Sequence, residues 1–452
     1  MNMMGILYIC YQSIAEPLTQ TQVVPYLEGL TVDGNLANAG SLPEGAERYR
    51  APKIVLLTFE PRALERREQQ VWREKLARRG IEWHWVRYHK RPRLPATAWD
   101  IVVGCWTAWR IMHRYHKEAR NWILHARGHV PGVMAFLLKR RTGARFLFDV
   151  RGFLAEEYAD AGILKPNGFV YRTVKRWERR LVRAADALVV LTRKAKELLV
   201  SWYPDEVQGK PIEVIPCCVD LRGDRKDREE LGVRGEEIIS GGARETTLNL
   251  VYVGKLGGWY LTEEMVRFVA IAREVVPGLR WQVWTQSGER TLDRYLAQFG
   301  LSDIVYVRQI SPERILSDLS RQADAGIAFI KPCLSKLASS PTKIGEYLAA
   351  GLPVVVNTGI GDVDELILGP DGPGSRGDCP TAPAPRVRKG WVGVVLYEFS
   401  EAAYREAAYA LLDLLAEPGI RERCRDTARR HLDLRGVGWV RYRSIYGQMG
   451  AG

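Results

Sequence analysis

A chain of 452 residues, 46% of them apolar, has enough material for two domains of ordinary size, each with its own core. No apolar run approaches the length of a membrane span, and the first residues lack the charged region and cleavage site of a signal peptide. The seven cysteines have no paired spacing, so reduced thiols in a cytoplasmic protein are the expectation.

The formal charge of +13 is unevenly placed: residues 1–220 hold 35 Lys and Arg against 23 Asp and Glu, and the remainder 31 against 30. The first half is therefore suited to meet anions, whether phosphorylated sugars, lipid phosphates or nucleic acid.

In chain order, 6–10 reads as a strand, 13–22 as a loop carrying Thr19 and Gln20, and 23–30 as a helix. A loop after the first strand falls over the carboxyl edge of a parallel sheet, and this one lacks the glycine-rich fingerprint of a dinucleotide site. Residues 31–50 are small, polar and Gly-rich, a surface loop. A strand at 53–59, a charged helix at 61–79 and strands at 83–88 and 101–105 follow. Two apolar strands then end alike, the first in Arg127, Gly128 and His129, the second in Asp149, Arg151 and Gly152. Both polar ends should share one sheet edge. Arg151 and Asp149 can equally pair with each other, and His125 can be a satisfied core histidine.

Residues 169–183 form a basic amphipathic helix with a stripe of Val170, Val174, Trp177 and Leu181. Such a helix can lie on an anionic membrane; packing its stripe on the sheet is the preferred expectation. A strand at 185–192 and the segment 212–220 lead to 221–246, charged and then Gly-rich, read as a linker.

Residues 248–254 are a buried strand ending in Gly254 and Lys255. Strands at 281–285 and 304–307 alternate with helices at 262–275, 289–299 and 312–323, which predicts a second parallel sheet. Residues 369–388 read as an inserted loop, and long helical patterns run from 401 onward.

The most informative stretch is 339–356, Ser-Ser-Pro-Thr-Lys-Ile-Gly-Glu-Tyr-Leu-Ala-Ala-Gly-Leu-Pro-Val-Val-Val. Ser340 suits an N-cap, Pro341 the first helical position, and Gly351 with Pro353 a stop. A helix start at the carboxyl edge of a sheet offers free N–H groups to an anion, and Lys343 adds a charge there. Glu346, four residues after Thr342, lies one turn further along the same face. That pairing suits the diphosphate and ribose of a nucleotide.

The pattern Ser-Pro-Thr-Lys-x-x-Glu-Tyr-x-Ala-x-Gly-x-Pro-Val-Val resembles the nucleotide-sugar-binding helix of glycosyltransferase family 4. The resemblance implies a GT-B architecture, α/β, with two facing Rossmann-like parallel-sheet domains and a cleft between them. The N-terminal domain (1–220) would bind the acceptor and be joined by a C-terminal helix at about 435–452. The domain at 247–434 would bind the donor. It further implies a UDP- or GDP-linked donor, transfer to a carbohydrate, lipid-linked or small-molecule hydroxyl with retention, and no obligatory metal. Glu346 matches the family's ribose-holding glutamate. Lys255 matches the first of two cations that reach the diphosphate. The second is replaced by Gly258-Trp259-Tyr260, which turns attention to Lys343. The family's other glutamate, eight positions before Glu346, is Ala338 here.

The donor-binding candidates are thus Gly254, Lys255, Ser340, Thr342, Lys343 and Glu346. The acceptor-side candidates are Thr19, Gln20, Arg127, His129 and Arg151. Lys255, Lys343, Arg151 and His129 are the candidates for catalysis. A sugar-nucleotide epimerase on the same fold is the nearest alternative, and a basic nucleic-acid-binding protein the alternative from another class.

Overall fold

The computed structural model describes residues 3–31, 51–89, 91–221, 247–285, 290–310, 314–370 and 390–450. Most of the loop expected at 31–50, the linker and most of the insertion at 369–388 lie outside those residues. The chain divides into two units, Met1–Pro216 with Leu434–Gly452, and Cys217–Asp433.

The first unit is built on a seven-stranded parallel sheet in the order β3-β2-β1-β4-β5-β6-β7. Its strands are β1 (Met3–Cys10), β2 (Lys53–Glu60), β3 (Ile81–Arg87), β4 (Ala119–Arg127), β5 (Arg145–Val150), β6 (Ala187–Val190) and β7 (Ile212–Val214). The helices are α1 (Pro17–Gln22), α2 (Val24–Thr31), α3 (Arg66–Ala77), α4 (Arg93–Arg114), α5 (His129–Thr142), α6 (Leu154–Asp160), α7 (Phe169–Ala184), α8 (Arg193–Trp202) and α9 (Pro204–Val207). Strands 1, 4 and 5 are apolar along most of their length and buried on both faces, as parallel strands between helices must be.

One expected strand is a helix. Residues 101–105 lie inside the 22-residue α4, because the apolar run belongs to a longer helical period. The buried positions of α4 are Ala96, Asp100, Gly104, Ala108, Ile111 and Met112, small along the middle of the helix. A Cβ on Gly104 would stand 2.7 Å from Met134 Sδ, so the helix lies close against its neighbours. The stripe expected to pack on α7 is only partly buried: Leu181 is, Val174 and Trp177 are intermediate, and Val170 is exposed.

The second unit holds a six-stranded parallel sheet in the order β10-β9-β8-β11-β12-β13. Its strands are β8 (Thr247–Val253), β9 (Gly278–Trp284), β10 (Val305–Arg308), β11 (Ala325–Ala328), β12 (Val354–Asn357) and β13 (Gly393–Leu396). In each sheet the order reverses at one point, between β1 and β4 in the first and between β8 and β11 in the second. Ligands of open α/β sheets bind outside the carboxyl ends of strands at such a point.

Candidate functional site

In the second unit, the loop after β8 and the segment after β11 flank the reversal point. Helix Thr342–Ala349 follows that segment. Its N-cap is Pro341, not the expected Ser340, and no side chain caps it. Ser340 Oγ is instead 3.1 Å from the backbone N–H of Cys217, from which it accepts a hydrogen bond. The turn at Cys217–Val219 comes this close because residue 345 is glycine: a Cβ there would stand 2.9 Å from Val219. The first N–H groups of the helix are thus left without a side-chain acceptor, the condition for receiving an anion.

Tyr347 fixes the helix on the sheet. Its ring crosses β11 where Gly326 leaves room, and its hydroxyl accepts the Val253 N–H at 2.7 Å. The strand end at β8 and the helix are therefore one assembly. Gly254 follows with φ of 129°, a conformation open to glycine, and a Cβ there would lie 2.9 Å from Lys343 Nζ.

Lys343 is buried. Its ammonium donates to Tyr252 Oη at 3.1 Å and sits 4.2 Å from the Tyr252 ring centroid and 3.6 Å from that of Tyr260. Tyr252 in turn donates to the Lys255 carbonyl. A chain of contacts therefore runs from the helix through Lys343 and Tyr252 to the Gly254–Lys255 loop. Burial drives the Lys343 pKa well below its ordinary value, with Glu346 opposing. Burial likewise pushes the Glu346 carboxyl up to about 7, against the pull of Lys343. Glu346 is half-buried and its carboxylate has no hydrogen-bond partner among the described residues, while Lys255 is exposed.

The aromatic pair Trp259–Tyr260 joins this cluster. Tyr260 faces Lys343, and Trp259 carries Lys336 Nζ 4.0 Å from its ring centroid. Sequence reasoning missed Tyr252, Trp259, Tyr260 and Lys336 as members of this cluster. The signal available was two aromatic residues standing where a lysine and a glycine were expected.

In the first unit the register aligns Cys10 with Arg127 and Arg127 with Asp149, so the ends of β1, β4 and β5 form one row. Asp149 is fully buried. Arg127 Nη1 lies 3.7 Å and Arg151 Nη1 3.6 Å from its carboxylate, and His125 Nε2 is 3.4 Å away. Burial opposes its ionisation, but Arg151, His125 and Arg127 hold the carboxyl at about 2. Two guanidiniums on one carboxylate leave the row cationic. His125 is a core residue, its Nδ1 bonded to Tyr446 Oη.

His129 opens α5, and its Nε2 is 3.0 Å from the buried Glu178 carboxylate. Lys175 and Tyr203 also bond Glu178, at 2.6 and 2.7 Å. Burial works against that charge, yet His129 and Lys175 bring the carboxyl down to about 2. Thr19 is buried on α1, and Gln20 donates its amide to the Ile14 carbonyl. Thr19, Arg127, His129 and Arg151 thus all stand at the carboxyl ends of β1, β4 and β5.

Residues 46–218 match the family described as a glycosyl transferase 4-like domain. Among curated proteins, none matches the sequence. Solved structures share the fold. A glycosyltransferase from Rickettsia africae is 13% identical with a TM-score of 0.62, over 100% of both chains. Sucrose-phosphate synthase from Thermosynechococcus elongatus is 13% identical with a TM-score of 0.60, over 99% of both. Anabaena HepE, in complex with UDP and glucose, is 14% identical with a TM-score of 0.57, over 99% of this chain and 98% of that one. Residues 46–218 thus match a glycosyl transferase 4-like domain, and the chain as a whole shares the two-sheet fold of these glycosyltransferase structures.

Proposed function

We propose that the chain is a glycosyltransferase that takes its sugar from a UDP- or GDP-linked donor. The observation that carries the reading is the donor-side assembly: an uncapped helix start, a buried lysine, an exposed lysine and an unpartnered glutamate within one unit. The N–H groups of Thr342 and Lys343 address a phosphate, and Lys255 approaches it from the glycine loop. Glu346, one turn on, accepts from the two ribose hydroxyls. The complex of Anabaena HepE with UDP and glucose supports a uridine nucleotide as the first to try.

The acceptor hydroxyl then attacks on the face from which the diphosphate leaves, so the anomeric configuration is retained. Charge on the departing diphosphate is met by Lys255, Lys343 and the helix start, without an obligatory metal. One well-placed donor of this kind is worth about 3 kcal/mol of barrier. The cationic row of Arg127 and Arg151 receives the acceptor, and His129, oriented by Glu178, stands at the same edge. The acceptor is a carbohydrate, lipid-linked or small-molecule hydroxyl.

Thermal unfolding in the presence of UDP, GDP and ADP tests the reading, since a ligand of the folded state raises its apparent stability. A shift with UDP or GDP is expected, and none with any nucleoside diphosphate would reject the donor site. Incubating a nucleotide sugar without acceptor separates transfer from epimerisation, because only an epimerase then yields an isomer.

A further inference from the structure

Helix α4 buries Ile111 and Met112 near its end but turns its three tryptophans outward. Along 96–108 its buried positions are Ala96, Asp100, Gly104 and Ala108, while Trp99, Trp106 and Trp109 are 57%, 56% and 47% exposed and Val102 is 59% exposed. Spacings of three, four and three residues put these four on one stripe. At Gly104 the helix seats close against α5, where a Cβ would stand 2.7 Å from Met134 Sδ, so nothing larger than glycine fits at that position. Three exposed tryptophans in a row are not scattered surface apolar residues; a contiguous patch of this kind marks a contact surface.

The charges around the stripe say what it contacts. Helix α5 packs between α4 and α7, so the three form one layer. The acids on these helices are Asp100 and Glu178, and both are fully buried and bonded within the unit. The outer surface is left with cations, among them Arg110, Arg114, Arg141 and Arg176, which are exposed. The Arg110 guanidinium sits 4.5 Å from the Trp106 ring centroid, and the His113 ring stacks on Trp109 at 5.4 Å. Phe169 and Val170, at the start of α7, are exposed too.

We propose that this face rests on an anionic lipid bilayer, with the α4 tryptophans seated at the headgroup level and the arginines on lipid phosphates. Indole rings favour that depth because one part is apolar and the N–H remains wet. A second copy of the chain fits less well, since pairing two such faces brings cations together with no exposed acid on these helices to answer them. The docking holds the enzyme at a surface where a lipid-linked acceptor would be found; it does not depend on the donor reading.

Co-sedimentation of the full chain with phosphatidylcholine vesicles, with and without phosphatidylglycerol, tests this. Binding is expected only with phosphatidylglycerol, and it should weaken as salt rises. Trp106→Ser with Trp109→Ser should reduce it at least tenfold, and Arg110→Gln or Arg114→Gln each by roughly fivefold. All four positions are exposed, and an unchanged melting temperature would confirm that the variants fold. Absence of vesicle binding by the native chain overturns the proposal, as does binding indifferent to the tryptophan pair. A dimer in light scattering that the tryptophan pair abolishes, without vesicle binding, would assign the face to a second copy. Retention of single-stranded RNA at physiological salt, again without vesicle binding, would assign it to nucleic acid.

Discussion

Glu346 and Lys343 are three residues apart in one helix and each is held away from its ordinary ionisation. For Glu346 the folded protein binds the proton more tightly than the unfolded chain, whose pKa is near the usual 4.5. Unliganded stability should therefore fall at this site as pH rises from 4.5 through about 7. Ribose binding uses the carboxylate, so nucleoside diphosphate affinity should rise roughly tenfold from pH 6 to 8 by calorimetry. Glu346→Gln should remove that dependence and weaken binding roughly tenfold, for the loss of a charged hydrogen bond of about 1.5–3 kcal/mol. Unchanged affinity in the folded variant would take Glu346 out of the site.

The two lysines are joined through Tyr252, which suggests that they act as a unit. Lys255→Met and Lys343→Met should each lower the catalytic constant more than donor affinity, and the double variant should lose less than the two singles together. Normal turnover in Lys343→Met, with only the Michaelis constant moved, would reduce Lys343 to a support for the glycine loop. In the first unit, Arg151→Ala should lower transfer while nucleoside diphosphate binding stays nearly intact. Equal loss of both would move Arg151 to the donor.

Among elements, the strand-to-loop transition at Gly254 carries the tightest constraint. A side chain there meets both a φ of 129° and the Lys343 ammonium. Gly254→Ala should cost about 1–3 kcal/mol in chemical denaturation, typical of a strained backbone position, and displace Lys255 with it. A variant as stable as the native chain and equally tight for nucleotide would show that the loop is not held as described. Helix α4 teaches the opposite lesson about elements. Its apolar run at 101–105 has the look of a strand over five residues, and the helical period emerges only over the whole 22. A short window cannot tell the two apart.

For the whole molecule, the chain's last segment completes the first unit. Trp439 Nε1 donates to the Pro25 carbonyl at 2.9 Å, Arg443 to that of Gly29 at 3.1 Å, and Tyr446 meets His125. Trp439, Tyr442, Ile445 and Tyr446 are buried there. At about 1.5–3 kcal/mol for each large side chain, removing residues 434–452 should cost the unit on the order of 5 kcal/mol or more. Limited proteolysis of a chain ending at 433 should open sites within 3–216 while 247–433 stays protected. Equal protection of both would show that the segment adds nothing to the first fold.

Legible in the residues alone were the two alternating strand–helix sheets, the helix that begins near Pro341 and the row of polar strand ends. Each rests on a short-range signal: apolar runs of strand length, a proline at a helix start, a glycine at its end, charges one turn apart. What the tertiary structure alone decided was how those charges are spent. Ser340 looked like a cap by position, but Cys217, more than a hundred residues away, takes its hydroxyl. Lys343 looked like a surface charge at a helix start, yet two tyrosines from the strand end and loop of β8 enclose it. The stretch at 101–105 looked like a buried strand, and only the packing of α4 shows that Trp99, Trp106 and Trp109 on either side of it face outward. Helical phase relates residues only a turn or two apart, whereas burial and pairing depend on what the rest of the chain brings to the same place.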